Sequence, residues 1–478
     1  MQPGASRAFA VALLIASSGF LAGSYCSERG YYTLGGTTTS GQVASGAIAR
    51  FGSVFVDGAE YTTSSATVTI DGVTASEAVL VPGQVATLGG TPASASVAGV
   101  AHALVVTTRL VGPATSVDLA AHTITVLGQT VQVTGDTSVG DGIAPMEPAG
   151  LLLGQLLAID GYRTSTGIRA SRIDPATGGV LLRVAGRIGA LDGATQTFSI
   201  GATTVSYAGV TGGLPASASV GAYAIASGAT VGGSAILNAQ QVLVQAEAGA
   251  GASGTSGVVH GAVTRFGATT DFDVAGQPVS TGSATTYDGG SATSIAADVE
   301  LEVSGTYNSS GVLVATAIAF VPTTDFRIVG PVDFIDSTAA TFSVGGITLA
   351  TTAATRWDDR GPVHARTFAL ATLGTGDWVE VRGDTTGIAA ADGRVVERRV
   401  APAQTQLVLE DDVSALADPS LTLAGIVVDT RGATFADING APLTRNQFFT
   451  SAAGHAVRAR GSLASGGAFV ATAVALRN

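Results

Sequence analysis

Two aromatic–acid pairs, Tyr287-Asp288 and Trp357-Asp358, stand 70 residues apart in a chain of 478. An aromatic face can stack on a sugar or peptide while the adjacent carboxylate accepts its hydroxyl hydrogens, so these four residues form the candidate ligand platform. The same rings could instead cap one end of a small β module. Oxygen-rich alternatives are Asp271-Phe272-Asp273 with Gly276, and Asp136 with Asp141 and Glu147. Neither has the spacing and closing Glu of a calcium loop, so no metal is expected. The five histidines, at 102, 122, 260, 364 and 455, are scattered and read as surface or edge residues. Gly249-Ala250-Gly251-Ala252-Ser253-Gly254 spells the dinucleotide fingerprint, but the strand-like Thr255-Ser256-Gly257-Val258-Val259 follows where a helix would have to present its amides. That segment reads as a linker, and no cofactor is expected.

Nucleophilic chemistry is equally thin. All 23 cations are Arg, so a Lys Schiff base or Ser-Lys pair has no donor, and no Gly-x-Ser-x-Gly elbow occurs. The expectation is a non-catalytic envelope protein acting as a spacer or binding module, with a surface glycan- or peptide-binding adhesin-like protein as the alternative. The surviving catalytic alternative is a carboxylate pair brought together by the fold, acting on envelope polymers.

The first residues carry an address. Arg7, the apolar Phe9 to Ala16, the break at Gly19 and the small residues Ala22-Gly23-Ser24 read as a signal segment over 1–24. Cys26, the single cysteine, lies just past the apolar stretch and is the candidate lipidation site; the plain alternative is an unpaired thiol in a leader over 25–45. Export to the periplasm or cell surface is therefore expected, with membrane attachment only through an N-terminal lipid or an uncleaved anchor. The net charge of −12 argues against nucleic acid, which clustered cations hold, and leaves an envelope polymer or protein as the expected partner.

The elements that would position these residues are strands. With 46% hydrophobic residues and 65 Gly, the chain suits pleated surfaces and turns better than helices. Phe272-Asp273-Val274-Ala275-Gly276-Gln277-Pro278-Val279 alternates and reverses at Gly276, as a hairpin requires. Gly112-Pro113, Asp118, Thr123 and Gly128 recur 218 residues later as Gly330-Pro331, Asp336, Thr341 and Gly346. Leu301 to Gly305 and Ala315 to Ile318 recur 156 residues later as Val457 to Gly461 and Ala471 to Val474. The reading is all-β: a tandem array of about six small antiparallel barrel or sandwich domains. They occupy 46–106, 107–175, 182–246, 257–321, 326–401 and 425–478, with linkers at 247–256 and 402–424. Each unit of roughly 70 residues is expected to fold around its own modest aliphatic core and to pack against its neighbours.

The residues from Gly46-Ala47-Ile48-Ala49-Arg50-Phe51-Gly52-Ser53 through Val54-Phe55-Val56-Asp57-Gly58-Ala59-Glu60-Tyr61 resemble the opening of the bacterial repeats known as domain of unknown function 5666. Gly376-Asp377-Trp378-Val379-Glu380-Val381-Arg382-Gly383 is similar to the Gly-x-x-Val-x-Val-x-Gly strand of that family, and Gly311 to Ile318 to its closing Gly-x-x-x-Ala-x-x-Ile. The resemblance spans about Gly46 to Asn478 and is strongest in the first, fourth and fifth units. It implies an exported or lipid-anchored envelope protein carrying several copies, and brings no catalytic residues with it.

Overall fold

The computed structural model describes Tyr31–Tyr32 and residues 41–477, apart from 57–58, 93–96, 119, 144–149, 177–178, 233–235, 246, 249–250, 323, 404 and 465–467. The signal segment and Cys26 lie outside the described residues. Within them the chain forms 39 strands, a few short 3-10 turns and one α-helix, Arg445–Ser451.

The fifth repeat shows how sequence sets the local structure. Its first strand, Phe326–Asp336, pairs antiparallel with the second, Thr341–Val344, which turns back into the third, Ile347–Ala350. Gly345 and Gly346 close that hairpin at φ 56° and 74°, the left-handed pair that a two-residue turn demands. The third strand then runs parallel to the fifth, Ala390–Arg398. The fourth, Trp378–Gly387, lies between the fifth and the first. Pairing thus returns to its starting strand in the order 1-2-3-5-4-1. Alternation points Phe342, Val344, Val379 and Val381 inward. A short accessory strand, Arg356–Asp359, lies parallel to the far half of the fifth strand. The same connections recur in the other repeats, and the predicted hairpin around Ala275 and Gly276 is present.

A single glycine marks each repeat. At Gly90, Gly161, Gly228, Gly305, Gly383 and Gly461 the pairing of fourth and fifth strands slips by one residue. A Cβ there would lie only 1.7 to 2.2 Å from a carbonyl oxygen of the partner strand. Only a residue without a side chain lets the strands approach so closely, and such a bulge sharpens the local twist.

Three expectations are corrected. The repeats are not separate barrels or sandwiches: hydrogen bonding joins them in pairs and builds continuous sheets of 10, 13 and 14 strands, in the manner of a solenoid. Repeat two joins repeat three through Leu110–Asp118 and Leu182–Asp192, and repeat five joins repeat six through Phe326–Asp336 and Leu407–Asp412. Repeat one joins repeat four through Gln42–Ala47 and Ser256–Ala268, a parallel pair separated by two intervening repeats. Nor is every core private, because one apolar cluster runs through repeats two and three and another through five and six. Finally, the acidic stretch read as a linker over 402–424 contains three strands of the sixth repeat, Leu407–Asp412, Ala415–Ala417 and Ser420–Leu423. The linker at 247–256 likewise begins with a paired segment, Glu247–Ala248, and ends in Ser256–Ala268.

Candidate functional site

Repeats one, two, four and five converge on a cavity of about 320 Å³. Its walls include Arg169 of repeat two, His260 and Glu300 of repeat four, and Arg356, Asp384 and Arg394 of repeat five. Each side chain is placed by strand periodicity. In Arg356–Asp359, alternate residues face opposite sides, so Arg356 and Asp358 look toward the junction while Trp357 and Asp359 look into repeat five.

That alternation decides the fate of the predicted platform. Trp357 is 2% exposed and packs between Phe342 and Phe368, at centroid distances of 6.2 and 5.4 Å. Its ring has no open face for a ligand, so the stacking expectation is corrected at this position and the ring belongs to the core. Asp358 instead accepts hydrogen bonds from Arg360 at 3.0 Å and Arg172 at 3.3 Å. Tyr287 occupies the matching place in repeat four, half-buried against its core, with Asp288 exposed beside it. The two pairs are not brought together.

Other sequence candidates are drawn apart too. Asp271 and Asp273 both engage the Arg265 guanidinium, at 2.6 and 2.8 Å. Asp136 accepts from Thr324 Oγ1 at 2.7 Å and pairs with Arg394 at 3.4 Å, while Asp141 approaches Arg360 at 3.5 Å. Glu147 lies outside the described residues. His260 departs from the surface reading: it stacks on Tyr162 at 5.3 Å, and its Nε2 lies 2.8 Å from Glu300. The other four histidines are exposed.

The residues that build the junction are arginines, which the search for catalytic patterns passed over. Arg172 donates to the carbonyl of Pro82 in repeat one at 2.9 Å, beside Ser171 Oγ donating to that of Gly83 at 2.6 Å. Arg382 donates to the carbonyls of Gly135 and Thr137 in repeat two at 3.0 and 2.5 Å, and Arg360 donates to that of Val139. Glu397, wholly buried, accepts from Arg382 at 2.7 Å, Arg399 at 2.5 Å and Ser138 of repeat two at 3.0 Å. Burial pushes the Glu397 carboxyl up, but Arg382, Arg399 and Arg360 override it and hold the group well below the usual range. The available signal was compositional: Arg without Lys, dense in Arg356-Trp357-Asp358-Asp359-Arg360 and Arg394-Val395-Val396-Glu397-Arg398-Arg399.

Two groups of the cavity wall are poorly compensated. Burial, aided by the neighbouring Arg382, lowers Arg356 to about 10 against the opposing pull of Asp136 and Glu397. Burial raises Asp384 to about 6, with Asp136, Asp325 and Asp392 adding to the rise and Arg394 opposing it. The chamber can therefore meet both signs of charge.

Four stretches of the chain, 111–174, 260–319, 329–396 and 412–475, match the profile described as Domain of unknown function (DUF5666), and together they cover more than half of it. They correspond to repeats two, four, five and six. The first repeat, whose opening carries the resemblance strongly, lies outside these matches, and the sixth lies within them. No curated protein matches the chain.

Proposed function

We propose, from the premise that the chain belongs to the DUF5666 family, that it is a non-catalytic binding module of the cell envelope. The junction cavity carries this reading, because four repeats contribute to a chamber that no repeat possesses alone. The leader supports export, with Cys26 as the lipid attachment point. The partner is an envelope polymer or protein.

Retention of purified cell-wall polysaccharide and peptide fragments by the immobilised full chain tests the binding role. Wild type should retain one class and Arg394→Ala should lose it; a wild-type protein that retains none ends the proposal. Fractionation of the native host tests location, with Cys26→Ser expected to lose envelope association. Unchanged association removes the lipid from the account.

A second reading has one observation in its favour. Asp384 and Asp392 are directly opposed across the fourth and fifth strands, and a carboxyl raised to about 6 suits a general acid. Hydrolysis of an envelope polymer by such a pair would release new chain ends in a reducing-sugar or amine assay. Release that vanishes in both Asp384→Asn and Asp392→Asn would replace the binding role by this one.

A further inference from the structure

We propose that the junction cavity holds a small zwitterion, an α-amino acid or dipeptide, with its carboxylate on Arg356 and its ammonium toward Asp384. The inference rests on the reading of this cavity as the binding site.

Arg356 is only 7% exposed. One of its Nη atoms donates to the carbonyl of Asp136, while its Nε has no hydrogen-bond partner. Among the described residues no carboxylate lies within ion-pair distance of it. Thr134 Oγ1, in the same wall, is also buried and without a partner. A poorly compensated buried cation is costly, and an orphaned buried hydroxyl adds to that cost. A nearly buried guanidinium with no carboxylate beside it, in the wall of a cavity, describes half of a carboxylate site. The other cations there are answered: Arg169 by Glu300 at 2.5 Å, and Arg394 by Asp136 at 3.4 Å.

The opposite pole has the opposite need. The ion pair of Asp384 is long, 3.8 Å to Arg394, and its carboxyl is raised by burial and by neighbouring acids. A simple anion would satisfy Arg356 and leave Asp384 opposed by three acids; a simple amine would do the reverse. A ligand carrying both charges answers both. At about 30 Å³ per water, the chamber has room for about ten waters, which a dipeptide can displace.

Calorimetric titration of the purified full chain with glycylglycine, acetate and ethylamine tests this. Glycylglycine should bind saturably, and acetate and ethylamine at least about tenfold more weakly, since each forfeits one charge-assisted contact. Arg356→Gln should weaken glycylglycine at least about tenfold. Because Arg356 also ties repeat five to repeat two, Asp384→Asn asks the same question without cutting that tie, and it should weaken binding. Absence of saturable glycylglycine binding, affinity indifferent to Asp384→Asn, or acetate binding as tightly as glycylglycine overturns the inference. If any of these occurs while polymer retention persists, only the zwitterion falls; if retention is lost as well, the binding role falls with it.

Discussion

Glu410 is held by guanidiniums from two repeats, and its replacement gives a calculable change. It sits in the strand that joins repeats five and six, directly opposite Arg327 on one side and Arg458 on the other. Arg458 lies 2.5 Å from its carboxylate, Arg477 3.3 Å and Arg327 3.6 Å. Burial raises the carboxyl, but these three cations reverse the effect and bring it from 4.5 to about 2. A folded-state value below the unfolded one contributes stability that is complete above about pH 4.5 and is lost as the pH falls toward 2. The difference is worth about 3 kcal/mol, or on the order of 100-fold in local opening.

Glu410→Gln should therefore lower the exchange protection of Leu407–Asp412 and Ala456–Leu463 by that factor at pH 7. Near pH 2, where the wild-type carboxyl is half protonated and most of this contribution is gone, the two proteins should differ by less than about 0.5 kcal/mol. Fragment-resolved hydrogen exchange reads both conditions, because protection factors are normalised for intrinsic exchange. A deficit of equal size at both pH values would mean that packing, not charge, is responsible. A difference below about 0.5 kcal/mol at pH 7 would mean that the pairs only offset their own desolvation.

Gly383→Ala places a Cβ 1.7 Å from the carbonyl oxygen of Asp392 and should destabilise repeat five by about 1–3 kcal/mol, whereas Gly387→Ala, with nothing within 4 Å, should stay within about 0.5 kcal/mol. Both tryptophans, Trp357 and Trp378, lie in repeat five, so intrinsic fluorescence during denaturation reports on that repeat; equal midpoints for the two variants would refute the steric account. Asp160, raised to about 8 by burial and then by Asp71 and Asp174, should make the protein less stable as pH rises from about 4 to 8, by at most about 1.4 kcal/mol per pH unit. Asp160→Asn should flatten that slope in thermal melts, and an unchanged slope would place the proton elsewhere. Arg366 donates to the carbonyls of Glu77 at 2.6 Å, Ala78 at 3.2 Å and Leu80 at 2.8 Å, with its guanidinium 3.6 Å from the Phe51 ring centre. Arg366→Lys cannot reproduce that fork and should speed exchange at Glu77–Val79; unchanged exchange would show the contact to be incidental.

What the sequence made legible was governed by short-range rules. The turn at Ala275-Gly276, the alternation of Phe272 and Val274, and the repeated Gly305 and Gly461 all reflect constraints acting within one hairpin or one strand pair. Joints between repeats escaped, because a strand edge looks the same whichever partner it meets, and Gln42–Ala47 meets Ser256–Ala268 more than 200 residues away. The acidic run Glu410-Asp411-Asp412 resembled a solvated linker for a related reason. Its partners, Arg458 for Glu410 and the Ala424 amide with Thr385 Oγ1 for Asp411, come from two other strands and a turn. Trp357 shows the limit for the site itself: its place in the repeat was visible, but the direction of its ring followed from the accessory strand, whose alternation sends Arg356 to the cavity instead.

The absence of lysine belongs to the same physics. Repeats two and three, and five and six, are fused by shared sheets and apolar clusters, which need no charge. The joint between the two pairs is polar, and its guanidiniums donate to backbone carbonyls of the neighbouring repeat. An ammonium carries its donors on one strongly hydrated point and loses its proton more readily on burial; a guanidinium keeps its charge and spreads five donors over a plane. Arg382 uses that spread to reach Gly135, Thr137 and Glu397 at once. The two kinds of joint must then fail differently. Acid reaches Glu397, Glu380 and their arginine partners while leaving the valine and leucine cores intact, so low pH should part the pairs of repeats before it unfolds them. Separation of repeats two and five should appear in small-angle scattering as an increase in radius at unchanged strand content. Loss of both together would mean that the polar joint and the apolar cores form one cooperative unit.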